Sequence, residues 1–166
     1  MRCFFVPIAV VAALALALAS CGSSSTLSTE QFTGLQNQGK QFAKSMETVG
    51  ADASSCAAGA AAGKGANTPP DLNVVKTCLA SALGKAQVGL GKIVVYTDNL
   101  SGEVSGTCST DLKELSGAMT DVKAIFAKAE TQARAGDLVK MQETLKTIKA
   151  TNITKTGAAA EKACKA

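Results

Sequence analysis

Residues Leu112–Ile148, LKELSGAMTDVKAIFAKAETQARAGDLVKMQETLKTI, carry apolar side chains at Leu112, Leu115, Met119, Val122, Phe126, Ala129 and Ala133, then again at Leu138, Met141, Leu145 and Ile148. The 3-4 spacing is that of a helix with one buried face, whereas a half-buried strand would alternate every second residue. Between the two runs stand Gly136, suited to the left-handed residue that closes a helix, and Asp137, suited to cap the next one. Two helices joined by so short a link are forced to lie antiparallel.

The same period recurs upstream. Phe32, Leu35, Gly39, Phe42, Met46 and Val49 make one narrow stripe on a first helix. Ser28 and Gln31 have capping-box spacing at its start, with Leu27 and Phe32 at the positions of a hydrophobic staple. Gly34 and Gly39 weaken this helix by about 1 kcal/mol each against Ala, unless they admit a close neighbour. Thr68-Pro69-Pro70-Asp71 opens a second helix, with Thr68 or Asp71 as cap, and Leu72, Val75, Leu79, Ala82, Ala86, Leu90 and Ile93 as its apolar face. Gly84, Gly89 and Gly91 thin its later turns. The run Ile93-Val94-Val95-Tyr96 is β-prone, but without a plausible strand partner it reads as buried helix.

Three stretches lack such a face. Gly50 to Asn67 is rich in Ala, Gly and Ser and reads as a loop or a loosely held turn of helix; Asp98 to Thr107 reads as the next loop. The last helix is expected to loosen or break around Asn152 to Gly157, before Ala158 to Ala163 add a turn or two. The fold so predicted is all-α, an antiparallel four-helix bundle with alanine-rich seams, formed by residues 27–166 as a single helical domain.

Composition narrows the chemistry. The chain has 166 residues, no His and no Trp, and 4% aromatic residues, so the core must be aliphatic. Without histidine there is no imidazole base, no His-dependent triad and no imidazole metal ligand. The net charge of +4 is too mild to point to nucleic acid. Lysine supplies 15 of the 17 basic residues, which suits a solvated surface better than bidentate anion recognition.

Residues 1–20 have the form of an export signal: Arg2 and the amino terminus precede an apolar run from Phe4 to Ala19 that ends in small residues. The run is short for a membrane-spanning helix, and no basic cluster follows it. Its end, Leu18-Ala19-Ser20-Cys21, resembles the lipobox of bacterial lipoproteins. The resemblance implies a diacylglyceryl thioether on Cys21, cleavage between Ser20 and Cys21, and a membrane anchor of two or three acyl chains. At about 0.8 kcal/mol per buried methylene, such chains leave a bilayer very slowly. Residues 21–26 would then be a lipidated tether that keeps the helical domain near the headgroups of a bacterial cell envelope, on the extracytoplasmic side. Lys40 and Lys44 are placed to rest on anionic lipid there.

The cysteines follow from that compartment. Cys3 leaves with the signal and Cys21 takes lipid, so Cys56, Cys78, Cys108 and Cys164 remain to form two disulfides. Cys108 and Cys164 each lie 28 residues from Gly136, so an antiparallel hairpin brings them to the same open end. This predicts Cys108 with Cys164 and leaves Cys56 with Cys78. With no Cys-x-x-Cys and no His, a thiolate metal site is not expected.

Other motifs fall short. Gly59 to Gly65 glances at a phosphate-binding loop, but its glycine spacing is one residue short and Gly65 replaces the magnesium-binding Ser/Thr. No Ser-x-x-Lys occurs. Asp111, Glu114, Asp121, Lys113, Lys123 and Lys128 fall on the polar side of the third helix and read as a solvated face. The sequence thus predicts no enzyme, no cofactor and no nucleic-acid partner, but a membrane-anchored lipoprotein with an interaction or structural role and an envelope protein as partner. A binding module for a small apolar or lipid-like ligand is the second reading, although alanine- and glycine-lined seams leave little room between helices.

Overall fold

The computed structural model describes residues 25–61, 71–148 and 150–165, with no strand among the described residues. In chain order the helices are α1 Thr29–Ala61, α2 Leu72–Glu103, α3 Gly106–Ala135, α4 Leu138–Lys146 and α5 Ala150–Cys164. The fold is all-α and stapled by two disulfides, as the periodicity and cysteine placement predict.

The helix ends show why the chain folds this way locally. At the start of α1 the Ser28 N–H donates to Gln31 Oε1 (2.8 Å) and the Gln31 N–H to Ser28 Oγ (3.2 Å), a reciprocal capping box, and both staple residues Leu27 and Phe32 are buried. Asp71 caps α2, its carboxylate accepting from the Asn73 N–H at 2.9 Å. Between α3 and α4, Gly136 takes φ +82°. Its N–H donates to the Ala133 carbonyl and that of Asp137 to the Gln132 carbonyl, the paired bonds of a Schellman end. Asp137 then caps α4 by accepting from the Lys140 N–H.

The packing seam of α3 is buried at every position expected: Leu112, Leu115, Met119, Val122, Phe126, Ala129 and Ala133. Along α2, Ala82, Ala86, Leu90 and Ile93 are buried, and Ile93 to Tyr96 is helical. Leu72, by contrast, is 59% exposed, because it sits in the first turn, ahead of the buried stretch that begins at Ala80. Phe42 and Met46 of α1 are only partly buried.

Three boundaries differ from the sequence expectation. α1 does not give way to a loop at Gly50 but runs on to Ala61, since alanine is the strongest helix former and Cys56 ties the segment to α2. α2 continues through Asp98–Glu103 instead of ending there. Thr97, Leu100 and Ser101 are buried, and the Ser109 hydroxyl donates to the Ser101 carbonyl (2.7 Å), so the last turns have partners; only Val104 and Ser105 then separate α2 from Gly106 at φ +67°. The break before α5 falls at Thr147 and Ile148, whose N–H groups reach back three residues to Thr144 and Leu145, while Asn152–Gly157 stays helical. A Cβ on Gly157 would lie 4.0 Å from Leu115 Cδ1, an ordinary contact distance, and the helix runs through the glycine without a break.

The chain divides into two compact units. Among the described residues the first comprises 25–44, Leu90–Asp121 and 150–165; Leu27, Phe32, Leu35, Leu90, Ile93, Leu112, Leu115 and Met119 form its interior, closed by Cys108–Cys164. The second comprises 45–61, 71–89 and Val122–Ile148, with Val49, Leu83, Ala86, Phe126, Ala129 and Met141 buried and Cys56–Cys78 as its bridge. Among the described residues α2 is long and apolar enough to cross a membrane, with a mean hydropathy of 1.3 over its most apolar 18-residue window. A core helix of a water-soluble fold meets the same test.

Candidate functional site

The structure brings the cysteines together in the predicted pairs. Cys108, in the first turn of α3, meets Cys164, in the last turn of α5, with Cα atoms 4.6 Å apart; Cys56 of α1 meets Cys78 of α2 at 5.6 Å. Cys108 and Cys164 are each 1% exposed, whereas Cys78 is partly open to solvent. The Leu27 N–H donates to the Cys164 carbonyl (3.2 Å), fastening the chain leading into α1 to the same end as that bridge. Ser20 and Cys21, the predicted cleavage and lipidation residues, lie outside the described residues, as do Thr68 and most of the glycine-rich stretch Gly59–Gly65.

Three polar clusters went unread in the sequence. In the first unit the Tyr96 hydroxyl sits over Gly34, where a Cβ would run into it, and donates to the Gln31 carbonyl at a long 3.4 Å. Gly34 is therefore a point of close approach, one of the two roles its place in a helix allowed. The Gln31 amide also donates to the Glu103 carboxylate. In the second unit Glu130 of α3 accepts from the Gln87 amide of α2 and from the Arg134 guanidinium one turn on, while Lys85 pairs with Asp52 at 2.6 Å. Both Glu130 oxygens are thus engaged by donors, which suits a link between α2 and α3 better than a proton acceptor for a substrate.

Elsewhere the polar groups are surface features. Lys113, Glu114, Asp121, Lys123 and Lys128 are exposed and Asp111 partly so, as a solvated face requires; Lys40 and Lys44 are exposed on α1. Asp137 is held below its ordinary carboxylate value, first by the side-chain hydrogen bond with Lys140 and then by the Lys140 N–H, and Lys140 is correspondingly raised. Thr97 Oγ1 and Gln132 Oε1 are buried with no hydrogen-bond partner among the described residues, one in each unit. No group of three or more Cys, Asp or Glu able to hold a metal occurs among the described residues. In comparison with known proteins, no family model, no curated protein and no solved structure matches this chain.

Proposed function

We propose that the chain is a bacterial cell-envelope lipoprotein, anchored through lipid on Cys21 and acting as a non-enzymatic interaction or structural protein with another envelope protein as its partner. The observation that carries this reading is Leu18-Ala19-Ser20-Cys21 at the close of the apolar run from Phe4 to Ala19. Two closed disulfides support it, because such bridges persist outside a reducing cytoplasm. The Leu27–Cys164 hydrogen bond supports it too: it gives the tether a fixed point of entry, beside the buried bridge. At about 3.3–3.6 Å per residue, residues 21–26 reach roughly 20 Å, so the lipid would hold that end of the first unit close to the headgroups.

The helices, on this reading, complete an antiparallel four-helix bundle in which α4 and α5 share the returning fourth leg. The α3–α4 hairpin at Gly136-Asp137 and the Cys108–Cys164 pairing support that arrangement. Intramolecular crosslinks between lysines of sequentially adjacent helices test it; a pattern that fits parallel neighbours removes the bundle.

The function is tested by growing cells with an alkyne fatty acid and measuring the mass of the mature amino terminus. Label on the wild-type chain, absent from Cys21→Ala, with residue 21 first, is the expected result. An unlabelled chain that begins at residue 1 overturns the reading. In-cell crosslinking then identifies the envelope partner, and native mass spectrometry that instead retains a lipid-sized ligand turns the assignment to a carrier.

A further inference from the structure

The end of α1 is held in an unusual way. Ala51–Ala61 reads ADASSCAAGAA, with no side chain large enough to bury much apolar area. Ala51, Ser54 and Ser55 are exposed, Asp52 and Ala53 half-buried, and Cys56 is buried at 2%. The preceding part of the helix has Phe32, Leu35 and Val49 in the core and needs no such help.

Among the described residues, the Cys56–Cys78 disulfide and the Asp52–Lys85 ion pair join this segment to α2. The ion pair has side chains 37% and 57% exposed, so water and salt screen it and it fixes little. Local forces do not replace it. Alanine favours helix, but Asp, two Ser and Gly59 do not, and the Ser54 hydroxyl bonds back to the Gly50 carbonyl (2.8 Å) in the manner that weakens helices. A helical end made of Ala, Ser, Asp and Gly gains little free energy from its own turns and depends on what ties it down.

We propose that Ala51–Ala61 is a redox-conditional helix, ordered while Cys56–Cys78 is closed and released when a dithiol reductant opens that bridge. The reductant's thiolate attacks Cys78 Sγ, the more accessible sulfur, and Cys56 leaves as a thiolate and takes up a proton. The reductant's second thiol then attacks the mixed disulfide, freeing the Cys78 thiol; two electrons and two protons pass to the protein and the dithiol becomes a disulfide. Cys108–Cys164, with both residues 1% exposed, withstands the same reagent and keeps the first unit closed. The redox state of the surroundings is thereby converted into order or disorder of one helical segment.

The test titrates the full chain with dithiothreitol, reads the open bridge by non-reducing peptide mapping, and follows hydrogen exchange. Cys56–Cys78 is expected to open first, with amides of 51–61 losing protection by about tenfold or more while those of 29–49 keep theirs. The double variant Cys56→Ser, Cys78→Ser is expected to show the same loss without reductant; should it not fold, the wild-type titration decides alone. Simultaneous opening of both bridges, prior opening of Cys108–Cys164, or unchanged protection of 51–61 after Cys56–Cys78 opens overturns the proposal.

Discussion

Replacing Cys108 and Cys164 together by alanine probes the bridge that closes the first unit. The two residues are 56 apart in sequence. On the chain-entropy account, a closed loop of this length lies between the cases of about 3 kcal/mol for a short loop and about 4.7 kcal/mol for a long one, which puts its contribution near 4 kcal/mol. Alanine is apolar and leaves no stranded polar group in this buried site, and the void left by the two sulfurs adds to the loss of the crosslink. Urea unfolding followed by circular dichroism at 222 nm measures it. With a slope of about 1–3 kcal/mol per molar urea, the midpoint should fall by roughly 1.3–4 M. A fall below about 0.5 M with the slope unchanged would refute the reasoning, because it would mean that the unfolded chain gains little freedom when the bridge is gone.

Further outcomes follow from single positions. Gly136→Ala places a side chain at φ +82° against Lys76 and should cost at least about 1–2 kcal/mol, while Gly117→Ala, with open space around it, should gain up to about 1 kcal/mol; equal midpoints in urea would contradict both. Gly34→Ala must push the Tyr96 ring aside, and because Tyr96 is the only tyrosine in a chain without tryptophan, its emission and acrylamide quenching report the move directly. An unchanged spectrum and quenching would show that the two helices do not meet there.

The cap of α4 gives the pH dependence. Asp137 has its folded value lowered from 3.8 by Lys140, so its contribution is complete above 3.8 and lost as pH falls through the lower folded value. Lys140 is raised from 10.5, so its share is complete below 10.5 and lost as pH rises through the higher folded value. Hydrogen exchange of α4 amides should quicken at the acid end in the wild type, and that acid step should vanish in Asp137→Asn; an acid step that persists in the variant belongs to another group.

What the order of residues determined unaided was whatever depends on neighbours within a turn or two. The 3-4 seam of α3, the capping box at Ser28 and Gln31 and the Gly136-Asp137 joint are local signals, and each stands where it was read. The cysteine pairs were legible for a related reason: equal distances from a sharp turn bring Cys108 and Cys164 together once two helices are antiparallel. The clusters of Tyr96 over Gly34 and of Gln87 with Glu130 were not legible, since each joins residues far apart in sequence whose meeting no period encodes.

Other helix ends were set by what packs beside them. Ala51–Ala61 has no large apolar side chain to announce it, yet it continues α1 with Cys56 bridged to Cys78; Asp98–Glu103 stays helical because Leu100 and Ser101 find an interior. Gly157 lies within α5 with Leu115 at ordinary contact distance, while Thr147 ends α4 through bonds that reach back three residues. A helix begins by local chemistry, but its length is set by what lies alongside, because propagation gains little free energy per residue and packing supplies the difference.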